Sequence, residues 1–222
     1  MATLCQIDWS ATGSMLSGFA AWAGVGAVIW AAKQGRDAVS DWRAQKVIER
    51  QLDAGERALT AAYKAKSALE SIRANFMSGS ELNRAEEDLA TNEADLKSQP
   101  EERARRIRFA QAIYNRVNAT KDDWDEVFAV IPLVTAYFSE NLARNLRTLI
   151  HQRHIVVVAV EEYVDDFDGD DREFTKKLRA DMFKGRDGED PVATKVDEAI
   201  SDLEANLLPL LRTDVRSLKS SS

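Results

Sequence analysis

His151 and His154 are the only histidines in the chain, and they stand three residues apart. On a helix that spacing puts both imidazoles on one face, the arrangement of a metal-binding pair. The carboxylate that usually completes such a pair is missing. One turn before each histidine stand Arg147 and Ile150 rather than Glu, so the Glu-x-x-His pattern of di-iron bundles is absent. Glu161 and Glu162 come two turns later. Ordinary, partly exposed histidines are the expectation.

The second candidate is the acidic run Asp165-Asp166-Phe167-Asp168-Gly169-Asp170-Asp171. Placing Gly169 as the glycine of a calcium loop makes Val164 the first ligand and Thr175 the last. Neither suits that loop. A turn whose aspartates cap the next helix accounts for the run better. The third candidate is Arg103, Arg105, Arg106 and Arg108, a cluster able to hold an anionic lipid, a phosphate or nucleic acid. Glu101 and Glu102 lie beside it, and a solvated, internally paired face is expected.

Other chemistry is not encoded in a recognisable form. Cys5 is the single cysteine, which excludes an internal disulfide or a Cys-based metal centre. Gly24-Val25-Gly26 would need its third glycine where Ile29 stands, so no phosphate-cradling loop follows. No nucleophile elbow, zinc-protease helix or Walker loop occurs. The sequence therefore predicts no enzymatic activity and no cofactor. The net charge of −7 over 222 residues also argues against a nucleic-acid partner.

The elements that would carry these residues are helices. Glycine and proline are scarce after residue 32, Ala, Leu, Glu, Arg and Lys dominate, and no hairpin turn separates alternating strands. The expected class is all-α. A single amino-terminal transmembrane helix continues into a long helix, and a multi-helix cytoplasmic bundle follows. The expected division is a short tail 1–8, a span 9–32, a bundle 33–216 and a disordered end 217–222.

Trp9–Ala32 (WSATGSMLSGFAAWAGVGAVIWAA) holds no charged residue and is long enough to span about 30 Å of hydrocarbon. Trp9 and Trp30 are separated by roughly 32 Å in a helix, which suits an aromatic belt at each headgroup layer. A cleaved signal peptide is disfavoured because residues 1–8 lack a basic residue, while a soluble Ala-rich core helix is the stronger alternative. Ser10, Ser14, Gly18 and Gly26 form a small-residue face that favours self-association in lipid. Lys33, Arg36, Arg43, Lys46 and Arg50 follow the span, so the positive-inside rule puts the amino terminus outside and the remainder in the cytoplasm of a bacterial inner membrane.

Beyond the span, Ile48, Leu52, Gly55, Leu59, Ala62, Ala65, Leu69, Ile72 and Phe76 recur with a mean step of 3.5, the period of a left-handed helical seam. Met77-Ser78-Gly79-Ser80 is expected to end that helix, with Gly79 at its C′ position and Ser78-x-x-Glu81 capping the next. Helices are then expected over Glu81–Lys97, Glu101–Ile131, Glu140–Asp166 and Asp170–Lys184, with a last one opened by Asp190 and Pro191. Pro132 should kink or restart its helix and Pro209 should bend the last. The apolar run Ile155–Val160 (IVVVAV) keeps helical phase with its flanks and is expected at the centre of the bundle.

The functional expectation is a single-pass membrane protein with a cytoplasmic helical interaction or scaffold domain. Its partners would be the lipid bilayer and either another protein or further copies of itself. One alternative is a membrane-acting effector or pore-forming subunit. The other is a soluble all-helical protein, or an enzyme with an unrecognised site.

Overall fold

The computed structural model describes residues 9–90, 98–165, 171–185 and 190–219, with side chains not described for 9–24, 26, 27, 29, 37 and 213–219. Its described elements are all helical. They are α1 (Trp9–Ile72), α2 (Gly79–Leu89), α3 (Glu101–Ala119), α4 (Lys121–Tyr137), α5 (Glu140–Asp165), α6 (Arg172–Met182) and α7 (Pro191–Lys219). The chain divides into two units, 1–50 and 51–222.

In the first unit every described side chain from residue 25 to residue 50 is exposed. Among the described residues no helix is long and apolar enough to cross a membrane. Most side chains of Trp9–Ala32 lie outside that set, among them those of Ser10, Ser14, Gly18 and Gly26.

The second unit is a bundle around α5. That helix packs against α3, α4, α6 and α7. Its buried residues Leu142, Ala143, Leu146, Leu149, Val156, Ala159 and Val160 recur at three- and four-residue steps through its whole length. The IVVVAV run is helical and its Val156 and Val160 are completely buried, as its helical phase requires. Complete burial of side chains such as Leu146 and Leu149 contributes about 1.5–3 kcal/mol each.

The expected seam on α1 is buried from Gly55 through Ile72. Ala54, Ala58, Ala61 and Ala68 are buried with it, so the packed face is broader than one heptad line. Small side chains let neighbouring helices approach closely. At Gly55 a β-carbon would lie 3.3 Å from Phe138 Cζ, so hydrogen is what admits the Phe138 ring. The seam stops at both ends, because Ile48 and Phe76 are exposed.

Several boundaries differ from the sequence reading. α1 ends at Ile72, and Gly79 opens α2 instead of closing α1. The capping box itself is present: the Glu81 amide donates to Ser78 Oγ and the Ser78 amide to the Glu81 carboxylate. α2 closes at Leu89, residues 91–97 lie outside the described set, and α3 opens at Glu101 as expected, with Pro100 as its N-cap.

Glu101–Ile131 is two helices. They part at Thr120, whose hydroxyl donates back to the Arg116 and Val117 carbonyls. Pro132 sits inside α4, which continues to Tyr137. α6 is shorter than expected at both ends. The Ala193 amide donates to the Asp190 carboxylate, so the N-cap expected at Asp190 holds, and the Leu142 amide donates to Ser139 Oγ in the same way at the start of α5. α7 extends to Lys219. Residues 220–222 are outside the described set.

Candidate functional site

Polar groups gather most densely where α1 ends. Arg73 follows the last helical residue and is 3% exposed. Its Nε donates to the Asp181 carbonyl at 3.0 Å, and Nη2 donates to the carbonyls of Ala180 (2.9 Å) and Phe183 (2.6 Å). These carbonyls belong to the end of α6, where a helix has no donors of its own to offer. Arg73 Nη1 pairs with the Asp190 carboxylate at 2.9 Å. Asp190 in turn accepts from the amides of Ala193 and Gly185. One guanidinium, carried just past the end of α1, and one carboxylate therefore tie three helix ends together: those of α1, α6 and α7. Burial alone would raise the Asp190 carboxyl. The Ala193 amide, the Arg73 guanidinium and the Gly185 amide together outweigh it and hold the group below the usual carboxylate range.

A second guanidinium does the same on the other side. Arg116 on α3 donates to the Ile72, Ala74 and Phe76 carbonyls, and its Nε pairs with Glu81 at 2.9 Å. The Arg116 hydrogen bonds, then the Ser78 amide, lower the Glu81 carboxyl from 4.5 to about 2. This explains why α1 stops at Ile72: carbonyls that continued helix would use are taken by Arg116 from α3. Because the folded-state value is depressed, the stabilisation from Glu81 is present above its ordinary value and is lost as pH falls from 4.5 towards about 2. Glu81 is about one-third exposed, so Glu81→Gln is expected to destabilise the bundle by only about 1 kcal/mol at neutral pH. It should also flatten the acid limb of a urea-unfolding series. An unchanged acid limb would remove Glu81 from this role.

These clusters close helix ends. Their donors and acceptors are spent on one another. Burial, with a hydrogen bond to Glu161, pushes Tyr114 up to about 12. Asp181 is raised by burial, which outweighs the opposing charges of Lys177 and Arg73.

The candidate residues read from sequence are dispersed. His151 and His154 are both exposed on α5. No group of three or more metal-binding side chains occurs among the described residues. Asp171 caps α6, accepting from the Glu173 and Phe174 amides, while 166–170 lie outside the described set. The arginine cluster splits by environment. Arg105 pairs with Glu102 and is exposed, and Arg108 pairs with Glu86 of α2 rather than with Glu101 or Glu102. Arg106 is drawn inward: it lies 4.7 Å from the Tyr163 ring centre and donates to the Tyr163 carbonyl. Tyr163 packs edge-on against Phe109, whose other neighbour is Phe183.

What remains is a surface. On α1, Val25, Val28, Trp30, Val39, Trp42, Val47 and Ile48 are large apolar residues with about half or more of their surface exposed. Single exposed apolar residues are ordinary, but a series along one helix marks a place that something else covers. Comparison with known protein families, with curated proteins and with solved structures gave no match. The role of this surface is read from its own chemistry.

Proposed function

We propose that the chain is a membrane-anchored helical interaction module. Trp9–Ala32 would insert in the bilayer, and the bundle of residues 51–222 would stand on the basic, cytoplasmic side. The observation that carries this reading is the exposed apolar series on α1, from Val25 to Ile48. Val25, Val28 and Trp30 belong to the uncharged stretch and suit lipid contact. Val39, Trp42, Val47 and Ile48 lie among charged residues after Lys33 and suit a partner helix or a second copy. The span rests on the uncharged sequence of Trp9–Ala32. The reading requires no catalytic step.

Carbonate washing of membranes should leave the full chain in the pellet, and a carboxy-terminal reporter active only outside the cytoplasm should stay silent. Release into the wash would sink the anchor, and an active reporter would reverse the orientation.

A further inference from the structure

A cleft of about 330 Å³ opens between α3 and α6, lined by Arg106, Arg172, Thr175, Lys176 and Arg179. We infer that it is a binding site for a phosphate-type oxyanion; it shares no residue with the exposed α1 series. Arg172, Lys176 and Arg179 are spaced four and three residues apart, which puts them on one face of α6. All three are exposed, and none forms an ion pair with a described residue. Arg106 comes from the other wall, held by its contacts with Tyr163 and by Glu102 at 3.7 Å. Thr175 is a wall and not a donor towards a ligand, because its hydroxyl donates to the Asp171 carbonyl.

The chemistry that results is three cations from α6 and the Glu102-paired Arg106 around one concavity, with no carboxylate among its described lining residues. This is unexpected in a chain with a net charge of −7. Like charges drawn together on one face of α6 repel one another, and a multiply charged anion relieves that repulsion. Guanidinium forks match the oxygens of a phosphate, and a lysine adds a point charge. A neutral ligand would leave the charges of Arg172, Lys176 and Arg179 without a counter-ion among the described residues. A free phosphate and the phosphate of a lipid headgroup are two sources with the same recognition chemistry.

The test uses the full chain in detergent with radiolabelled inorganic phosphate in equilibrium dialysis at low salt. It also uses vesicles of phosphatidylcholine alone against phosphatidylcholine with phosphatidic acid at about nine to one. Two double variants carry the same change in net charge: Arg172→Gln with Lys176→Gln in the cleft, and Arg105→Gln with Lys177→Gln outside it. All four positions are exposed, so both variants keep the packing. Saturable phosphate binding that falls about tenfold in the cleft variant, and stays within about twofold in the matched one, supports a site for a small anion. A preference for the phosphatidic acid vesicles lost only in the cleft variant, without binding of inorganic phosphate, supports a headgroup site. No saturable binding and no vesicle preference would overturn the inference. So would a loss that is equal in both variants, or absent from both.

Discussion

Arg73→Met is expected to destabilise the bundle by about 3–5 kcal/mol, the range for breaking a buried ion pair by removing one partner. The methionine fills much of the same space, so the loss is electrostatic and not a cavity effect. Asp190 would keep its carboxylate largely buried without its counter-ion, and the carbonyls of Ala180, Asp181 and Phe183 would lose their donor. Asp190→Asn separates these terms. Asparagine keeps an oxygen for the Ala193 amide and removes the charge. Arg73→Met should therefore cost less in the Asp190→Asn background than alone, by a coupling of about 1–3 kcal/mol. Urea unfolding of the full chain followed by circular dichroism measures all four proteins. A loss below about 1 kcal/mol for Arg73→Met, or additive losses in the cycle, would show that the guanidinium does not tie these three helix ends together.

Val156→Asp is expected to cost about 4 kcal/mol or more and to leave the bundle largely unfolded. Val156 is completely buried on α5, the helix against which α3, α4, α6 and α7 all pack. A carboxylate there must either remain charged in an apolar interior or take up a proton, and each alternative is unfavourable. Val158→Asp, two residues along the same run, is the control. Val158 is only partly buried, so its aspartate reaches solvent and the loss should be near about 1 kcal/mol. If the two variants unfold alike, the helical phase assigned to IVVVAV is wrong. The same comparison separates a helix from a buried strand. In a strand, residues 156 and 158 would share one face and suffer equally.

The helical phase of that run is legible in the sequence because Leu142, Leu146 and Leu149 precede it on the face that Val156 and Val160 continue. The caps Ser78, Ser139 and Asp190 are legible for a related reason: an N-cap is a contact between a side chain and backbone amides two or three residues away. Local spacing determines both. The small-residue seam of α1 also shows itself, since Gly55 to Ile72 keep one period whichever helix they meet. Periodicity predicts Glu101–Ile131 as one helix and misses the break. Thr120 is an acceptable helical residue until its hydroxyl turns back on the carbonyls of Arg116 and Val117.

Two further features join residues far apart in the chain. The end of α1 depends on Arg116, which reaches back 44 positions to the Ile72 carbonyl, and on Arg73, which reaches forward 117 to Asp190. The cationic cleft joins Arg106 to residues more than 60 positions later, which the sequence separates into an arginine cluster and the helix after an acidic turn. Helix class, register and caps follow from periodicity and short-range hydrogen bonding, and the sequence by itself determined them. Which charges meet follows from how helices pack, and only the tertiary structure decided that. An ion pair needs its partners within about 4 Å, and periodicity along one helix carries no information about the helix across from it.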